Sequence, residues 1–409
     1  MAKHHAETRQ DQLRVGTSLW MKTPHSTLAA DTQLTRDRCD VIVVGAGISG
    51  ALMAEALTRA GKSVLILDRR QPVRGSTSAS TAMIQHEIDV PLTRLRKKVG
   101  AARAEGAWLR SARAVKSLQS LVHRLQIDCQ MRSRSVLYLA GNDMGARALA
   151  SEAEARAEIG IAADFLKRDE LKSRFGMDRT GAILSEVSAS ANPAQLTAGL
   201  LKVALSRGAR IVSPVEVSDM TELPSAVALA TRKGEVLIAE HVVFCTGYEY
   251  LPQMKSTSHH VTSTWALASE PMTGLPGWMH DAMVWEASDP YLYFRTDEAG
   301  RIIAGGEDED VSSSNSDPKK LASKAKTITR KLFDLTGLKV GKPAYRWSAP
   351  FSVTDDGLPI IDRVQGFERV FSVMGFGGNG ITFSVIGAEI ISAMITGKPD
   401  PDADIFRYR

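Results

Sequence analysis

The sequence predicts an α/β protein in which a parallel nucleotide-binding sheet is combined with a second, antiparallel region. Buried hydrophobic strands followed by glycine-rich turns and helices occur near both ends of the chain, whereas residues 261–306 alternate as antiparallel strands do. The two patterns interleave, so we expect two domains that are each built from separate pieces of chain. The expected pieces are a lead-in segment at 1–37, a nucleotide-binding domain at 38–90, 190–250 and 345–397, a second domain at 91–189 and 251–344, and a tail at 398–409.

The composition of the 409-residue chain argues against several classes of protein. Its three cysteines are far apart and form no C-x-x-C pair, which argues against a disulfide framework, a zinc site and a dithiol redox centre. The net charge of +5 permits an anionic partner without requiring one. Because there is no apolar run of about 18 residues and no signal peptide, we expect a cytoplasmic protein with no transmembrane segment, and we expect no bound metal.

The strongest motif follows the lead-in segment. Residues 41–44 (VIVV) predict a strand buried on both faces, residues 45–50 (GAGISG) have the G-x-G-x-x-G spacing, and residues 51–60 predict a helix. A second buried strand follows at 64–67 (VLIL) and ends at Asp68. The glycines lie between a strand and a helix, and the acid follows at about the expected 20 residues. The motif therefore predicts a site for an ADP-containing dinucleotide rather than a glycine-rich turn without a ligand.

Each residue type in this motif has a physical reason. Gly45 allows a tight turn out of the strand, Gly47 lets a pyrophosphate approach the backbone, and Gly50 lets the helix pack closely on the strand. The helix N-terminus offers free N–H groups and a partial positive charge to the phosphates. Asp68 can accept hydrogen bonds from both ribose hydroxyls of adenosine, and its charge disfavours the 2′-phosphate of NADP.

Three further stretches bear on the predicted site. The hydroxyl-rich run at 75–81 is expected to wrap the phosphates and ribityl chain of a longer cofactor, with a flexible loop as the alternative, and residues 82–88 would border the reactive ring. A strand at 370–374, a glycine-rich turn at 375–380 and an apolar helix repeat the opening pattern. The acidic, serine-rich run at 307–320 is interpreted as a surface loop.

A basic stretch at 94–124 lies within a helical pattern that runs from about residue 92 to residue 125. Apolar side chains fall on one face and arginines and lysines on the other, which is typical of a solvated helix face. Contact with an anionic membrane surface or a nucleic acid is the alternative. No RNA-binding signature with interleaved aromatic residues accompanies the stretch, so no nucleic acid partner is expected.

Four features of the sequence occur together: the G-x-G-x-x-G unit ending in an acid, the Ser/Thr run at 76–81, a strand ending in Thr246-Gly247, and the C-terminal strand, glycine turn and helix. Together they resemble the D-amino-acid oxidase (DAO) superfamily of FAD-dependent oxidoreductases, the group of glycine oxidase, sarcosine oxidase and γ-glutamylputrescine oxidase-like proteins. The stretches at 291–306 and 356–361 match this group as well. The resemblance implies a Rossmann-like FAD-binding domain, made from the nucleotide-binding pieces, and an antiparallel-sheet (α+β) substrate domain.

The resemblance also assigns cofactor contacts position by position. The opening motif would hold the pyrophosphate and the ribose, the hydroxyl run would line the ribityl chain and flavin, and the last glycine turn would lie beneath the flavin pyrimidine. At that turn the N-terminus of a helix would stabilise the negative charge that reduced flavin develops. The FAD-binding residues implied in this way are Gly45, Ala46, Gly47, Ile48, Ser49, Gly50, Asp68, Arg69, Ser76, Ser78, Ser80, Thr81, Val217, Thr246, Gly247, Gly377, Gly378, Asn379, Gly380 and Ile381.

The sequence departs from part of the family in two places. Sarcosine oxidase-like members bind flavin covalently through a cysteine in the C-terminal third, but no cysteine follows Cys245 here, and the matching region reads RWSAP at 346–350. We therefore predict non-covalent FAD. A lysine that helps oxygen react in some oxidases is replaced by Ile302 and Ile303, which leaves open whether O₂ is the electron acceptor. The sequence does not indicate an oligomeric state.

The resemblance implies oxidation of the C–N bond of an amine or amino acid by hydride transfer to flavin N5, giving an imine that hydrolyses. The substrate would be glycine, a D-amino acid, an N-methyl or secondary amine, or a γ-glutamylputrescine-like compound. We expect Arg295 to bind a substrate carboxylate with Tyr293 as its helper, and His86 to lie at the flavin edge. A solvent-facing or ion-paired arginine and a structural histidine are the alternatives. The competing functions are an NAD-linked dehydrogenase and a flavoprotein that acts on a larger anionic partner such as RNA.

Overall fold

The computed structural model describes residues 14–25, 27–34, 38–254, 259–310 and 316–409. The strands in this part of the chain are β1 (Val15–Thr17), β2 (Cys39–Val44), β3 (Val64–Leu67), β4 (Met83–Gln85), β5 (Arg132–Ala140), β6 (Ala163–Lys167), β7 (Gly181–Ser190), β8 (Arg210–Val212), β9 (Val217–Leu223), β10 (Ala226–Thr231), β11 (Val236–Phe244), β12 (His259–Ala268), β13 (Ala282–Ala287), β14 (Leu292–Thr296), β15 (Ile302–Glu309), β16 (Tyr345–Thr354), β17 (Ile360–Arg363) and β18 (Val370–Met374). The helices are α1 (Ile48–Arg59), α2 (Leu92–Val99), α3 (Ala101–Arg124), α4 (Ala146–Glu158), α5 (Arg168–Phe175), α6 (Pro193–Ser206), α7 (Pro318–Thr336) and α8 (Gly380–Ile395). Among these described helices, none combines the length and the apolar character that crossing a membrane requires.

The smaller of the two sheets has parallel strands at its centre, as the opening motif predicts. Its order is β17–β18–β11–β2–β3–β8, with β18, β11, β2, β3 and β8 parallel and with β9 and β10 attached to β11 as an antiparallel meander. In β2, Val41 and Val43 face a core shared with α1, α6 and α8, whereas Ile42 and Val44 face a second core shared with β9 and β10. Burial on both faces explains why the hydrophobic run of β2 is continuous.

The larger sheet has ten strands, which are antiparallel neighbours except for β5 and β13. Its order is β1–β16–β12–β15–β14–β13–β5–β7–β4, with β6 paired to β7. Helix α7 packs on this sheet, where Leu321, Ile328 and Leu332 share a core with Trp265 and Phe294. The predicted α/β class with an antiparallel second region is therefore confirmed.

Two strands join a different sheet from the one that the sequence pattern indicates. The pattern places residues 38–90 and 345–397 in the nucleotide-binding domain, but β4 pairs with β7 and β16 pairs with β12, both in the larger sheet. The partners of these strands lie far along the chain, so local patterning does not identify them. The division of the chain into two domains remains a prediction.

The lead-in segment is a structural part of the molecule. Strand β1 pairs with β16, and Trp20 is only 2% exposed. Trp20 Nε1 donates a hydrogen bond to the carbonyl of Ser80 over 2.6 Å, and Ser18 Oγ donates to the carbonyl of Ser78 over 2.5 Å. These contacts fix the hydroxyl-rich loop at 75–81 against the lead-in segment, in contrast to the flexible loop that the sequence left as an alternative.

The basic stretch forms two helices rather than one, because Gly100 has a φ of +85°, outside the right-handed helical region, between α2 and α3. Four of its arginines are paired with acids of the same chain. The ion pairs are Arg94 with Asp143, Arg96 with Glu105 and Glu158, Arg110 with Glu389, Asp400 and Asp402, and Arg113 with Asp402. These pairs use positive charge that an anionic partner would need, so the described residues give no support to a function on RNA.

Candidate functional site

A cavity of about 580 Å³ lies where the ends of the parallel strands meet the larger sheet. The residues that follow β2, β3 and β11 line one part of it, and residues of β13, β14 and β15 line another. The loop at 75–81 and the glycine turn before α8 also contribute. The carboxyl ends of parallel strands are where α/β sheets bind ligands. The cavity therefore joins the predicted nucleotide site to the antiparallel sheet.

The first turn of the opening motif has no room for side chains. Gly45 has a φ of +114°, and a Cβ added there would lie 2.4 Å from the carbonyl oxygen of Cys245. A Cβ added to Gly50 would lie 1.8 Å from the carbonyl oxygen of Gly45, which is closer than any real contact. Helix α1 therefore starts directly against β2, without a side-chain cap, and residues 47–49 line the cavity. The N–H groups at this helix start fit a pyrophosphate.

Asp68, at the end of β3, lines the same part of the cavity. Its Oδ2 accepts a hydrogen bond from the N–H of Ala46 over 2.7 Å, and its Oδ1 accepts one from the N–H of Arg70 over 2.7 Å. Burial raises the pKa of Asp68, and the two N–H donors oppose this shift. A carboxylate has about four acceptor sites, so the fixed Asp68 can also bind two ribose hydroxyls.

Two arginines beside Asp68 are held by one glutamate. Arg70 Nη1 lies 2.8 Å from Glu249 Oε2, and Arg69 also bonds Glu249 and lies 3.8 Å from Glu216. All four side chains line the nucleotide part of the cavity. The sequence indicated Arg69 but not Arg70 or Glu249, since only the fold brings residue 249 to the end of β3.

Most of the predicted cofactor residues line the cavity. They are Gly45, Gly47, Ile48, Ser49, Asp68, Arg69, Ser76, Ser80, Thr81, Val217, Thr246, Gly247, Gly377, Gly378, Asn379, Gly380 and Ile381. Ala46 and Gly50 lie behind this surface, where they support Asp68 and the packing of α1. Whether each lining residue contacts a cofactor stays a prediction.

The prediction for Ser78 needs correction. Its Oγ donates to the carbonyl of Gly75 over 3.0 Å and accepts a hydrogen bond from Arg14 over 2.8 Å, so the side chain points away from the cavity. The neighbouring Thr77 lines the cavity instead, and its Oγ1 accepts a hydrogen bond from the N–H of Ile48 over 2.9 Å. In this short helical turn, successive side chains point in different directions, which the Ser/Thr composition alone does not show.

The last glycine turn is held from below by polar groups. Asp89 Oδ2 accepts a hydrogen bond from the N–H of Gly378 over 2.7 Å, and Asn379 Nδ2 donates to the carbonyl of Glu87 over 2.7 Å. A Cβ on Gly377 would lie 2.4 Å from Asp89 Oδ2. Helix α8 begins immediately afterwards without a side-chain cap. The turn thus presents backbone N–H groups to the cavity in a fixed position.

The opposite wall carries two tyrosines and a carboxylate. Tyr291 Oη donates to Asp308 Oδ2 over 2.6 Å, and the rings of Tyr291 and Tyr293 are 5.9 Å apart. All three residues line the cavity. Burial raises the pKa of Asp308 to about 6 and also raises the pKa of both tyrosines. Tyr293 therefore lines the cavity with an uncharged phenol, and its contact with a substrate stays a prediction.

Arg295 does not lie in the cavity, so it is unsuited to its predicted contact with a substrate carboxylate. It is 3% exposed, and its guanidinium donates to the backbone carbonyls of Thr81 over 2.7 Å and Ala191 over 2.9 Å. Arg295 shares a strand face with Tyr293, but two residues along a strand are about 7 Å. That displacement carries the guanidinium past the cavity and into contact with the backbone.

His86 is likewise a structural residue. It is completely buried, its Nδ1 lies 2.7 Å from the carbonyl oxygen of Val187, and its ring meets Trp108 edge to face at 6.1 Å. Burial lowers its pKa, so the imidazole is neutral. Gln85 lines the cavity, and the side chain of the next residue points to the other side of the extended chain. The prediction of a pocket histidine at the flavin edge is therefore wrong.

The sequence missed the acidic character of the cavity near the larger sheet. Residues 307–309, which were expected in a surface loop, continue β15, and Asp308 points into the cavity. The acids that line this part are Asp89, Asp143, Glu286, Asp308 and Asp310. They come from four separate segments, so no local motif could group them. The described residues contain no group of three or more His, Cys, Asp or Glu side chains that could hold a metal ion.

Comparison with known proteins identifies the family. The chain matches the DAO model, described as FAD dependent oxidoreductase, over residues 40–394. It is 23% identical over 373 residues to a Bacillus subtilis (strain 168) protein that is named as a Rieske 2Fe-2S iron-sulfur protein, covering 90% of this chain and 70% of that protein. It is 23% identical over 380 residues to gamma-glutamylputrescine oxidoreductase of Escherichia coli (strain K12), covering 88% and 84%. The structure is similar to glycine oxidase from Geobacillus kaustophilus with a TM-score of 0.73 and 20% identity, covering 89% and 96%.

The family match spans most of the chain, and it agrees with the fold and with the nucleotide cradle. It confirms the resemblance inferred from the glycine motifs and makes the NAD-linked dehydrogenase alternative wrong. The chain belongs to the DAO family of FAD-dependent oxidoreductases, and FAD is its cofactor.

Proposed function

We propose that this protein oxidises the C–N bond of an amine, with FAD as the acceptor of the two electrons. The observation that carries the proposal is the continuity of the cavity, which leads from the phosphate cradle at residues 45–49 to the tyrosines and acids of β14 and β15. A substrate bound among these side chains would lie close to a cofactor held at the glycine turn before α8. The matched relatives named gamma-glutamylputrescine oxidoreductase and glycine oxidase carry names of nitrogen compounds, which supports the same class.

The residues present suit FAD along the whole cavity. We assign the pyrophosphate to the N-terminus of α1, the adenosine ribose to Asp68, and the adenine to the edge at Val217. Ser80 and Thr81 would border the ribityl chain and the flavin. The turn at 377–380 would meet the flavin pyrimidine. When bound, FAD supplies the acceptor for a hydride from the carbon next to the substrate nitrogen.

The chain itself contributes position and electrostatics. The N–H groups at the start of α8 are held in place by Asp89 and Asn379, and they would stabilise negative charge on a cofactor bound beside them. Tyr291 and Tyr293 supply a wall against which the substrate is held. The nitrogen that reacts must be uncharged so that its lone pair can form the C=N bond. Water then hydrolyses the imine, and no strong side-chain base is needed.

An anaerobic visible titration of the purified protein tests this function. We expect a yellow protein whose flavin band is bleached by an amine from a panel of diamines, monoamines, glycine, sarcosine, D-amino acids and γ-glutamylputrescine. Admission of air then measures whether O₂ accepts the electrons. A flavin that dithionite bleaches but that no member of the panel bleaches would contradict amine oxidation while leaving the FAD site intact.

We predict that FAD is not bound covalently. Cys245 is the one described cysteine that lines the cavity, and it lies beside Gly45 at the phosphate end. Burial raises the pKa of its thiol, which keeps the sulfur protonated and unreactive. On a denaturing gel, flavin fluorescence should leave the protein band completely. Fluorescence that stays with the band would overturn the prediction. Its persistence in Cys245→Ser would then locate the covalent link at another residue.

A further inference from the structure

We infer that the substrate is a diamine or polyamine without a carboxylate group, and that Asp308 and its neighbouring acids bind the ammonium group that does not react. This inference rests on the amine oxidation proposed above and names the substrate class for the same cavity. It is carried by the charge of the cavity wall, by acceptor atoms that lack donors, and by the position of Arg295.

The wall near the larger sheet is negatively charged. The described cavity-lining side chains include two cations, Arg69 and Arg70, and both lie at the nucleotide end, bonded to Glu249. At the other end, Asp143 and Glu286 are paired with arginines outside the cavity. The remaining acids there, Asp89, Asp308 and Asp310, form no ion pair in the part of the chain that is described. A cationic group is the ligand that would balance them.

Two acceptor atoms in this part of the cavity lack donors. Asp308 Oδ1 and Gln85 Oε1 are buried and accept no hydrogen bond, although the hydroxyl of Thr264 lies close enough to Asp308 to favour its charged form. Gln85 is only 9% exposed, so water has little access to its amide. Buried acceptors are normally satisfied. An ammonium group carries three N–H donors and no acceptor, so it suits acceptor atoms of this kind.

The same wall disfavours an amino acid. A substrate carboxylate needs a cation, and Arg295, the strand residue best placed to offer one, is buried against backbone carbonyls. A carboxylate would also be repelled by ionised Asp308 in a site of low dielectric. By contrast, the stacked rings of Tyr138 and Trp285, with centroids 4.0 Å apart, offer apolar surface to the methylene groups of a diamine.

A titration of the holoenzyme with putrescine, n-butylamine and glycine tests the inference. We expect the apparent Kd of putrescine, measured from perturbation or reduction of the flavin, to be about 10-fold to 100-fold lower than that of n-butylamine, because only putrescine has a second ammonium group. Each tenfold difference in Kd corresponds to about 1.4 kcal/mol of added interaction. In Asp308→Asn this preference should fall to about threefold or less. The matched control Asp164→Asn changes an exposed aspartate of β6 and should keep the full preference. Tighter binding of glycine than of putrescine, or an unchanged preference in Asp308→Asn, would overturn the inference.

The titration separates this inference from the proposed function. A shift of the flavin spectrum reports binding even where no reduction follows, so tight putrescine binding without bleaching by any amine would support the site and contradict the reaction. Bleaching by glycine or sarcosine with weak putrescine binding would support the reaction and overturn the substrate class.

The pH dependence of putrescine binding to the wild-type protein provides a test that needs no variant. Burial raises the pKa of Asp308 to about 6, and the charge of Asp89 raises this pKa as well. The hydrogen bond from Tyr291 to Oδ2, the nearby Thr264 hydroxyl and the charge of Lys324 in α7 lower it. A carboxylate attracts a cation only when it is deprotonated. The preference for putrescine over n-butylamine, in which the titration of the reacting amine cancels, should therefore be constant above about pH 7 and fall up to tenfold per pH unit below about pH 6. A preference that is unchanged between pH 5 and pH 8 would contradict the role of Asp308.

Discussion

Replacing Gly50 with alanine is expected to raise the Kd for FAD at least about 100-fold and to lower the free energy of unfolding by about 3 kcal/mol. The added Cβ would lie 1.8 Å from the carbonyl oxygen of Gly45 and 2.9 Å from its carbonyl carbon. Both are backbone atoms, so no side chain can rotate out of the way. Helix α1 must move off β2, and the N–H groups that meet the pyrophosphate move with it. Alanine favours a helix by about 1 kcal/mol over glycine, so the loss would come from the clash alone.

The matched control for this substitution is Gly145→Ala. A Cβ added to Gly145 meets nothing within 4 Å, and its φ of −79° is accessible to alanine. FAD affinity, measured by flavin fluorescence on titration of the apoprotein, should be unchanged in the control. A Gly50→Ala protein that binds FAD within threefold of wild type would show that α1 does not form the pyrophosphate site.

The parts of the site that could be predicted from sequence are those fixed by local backbone geometry. Gly45 and Gly50 are required where a strand turns directly into a helix, and Asp68 ends the next strand, so all three follow from spacing along about thirty residues. The same reasoning finds the turn before α8. In each case the backbone segment that demands a particular residue type lies in the same short stretch of sequence as that residue.

The direction of single side chains and the grouping of distant ones could not be predicted in this way. Arg295 and Tyr293 share a strand face, yet only the register of β14 against its neighbours decides which of them reaches the cavity. Asp89 and Asp308 are separated by more than two hundred residues and meet because the chain crosses between the two sheets. The net charge of a binding site depends on residues that such crossings bring together. Its prediction therefore requires the three-dimensional structure.

A buried ion triad behind the cavity leads to the second large expected effect. Arg156 Nη1 lies 2.5 Å from Glu87 Oε1 and its Nε lies 2.9 Å from Glu152 Oε1, and all three side chains are completely buried. Glu87 also accepts a hydrogen bond over 3.0 Å from Nε1 of Trp285, which stacks on Tyr138 in the cavity wall. The triad thus connects the interior charges to the aromatic surface proposed for the substrate.

Arg156→Met is expected to lower the free energy of unfolding by about 3–5 kcal/mol, because it leaves two buried carboxylates without their cation. Urea denaturation of the apoprotein measures this without a contribution from FAD binding. Arg174→Met removes an exposed ion pair with Glu170 and should cost less than about 1 kcal/mol.

Adding Glu87→Gln to Arg156→Met removes one of the two uncompensated charges and should recover at least about 1 kcal/mol. If Arg156→Met were as stable as Arg174→Met, the buried triad would contribute no more to stability than an exposed ion pair does. A double variant less stable than Arg156→Met would show that Glu87 acts mainly through its hydrogen bond to Trp285.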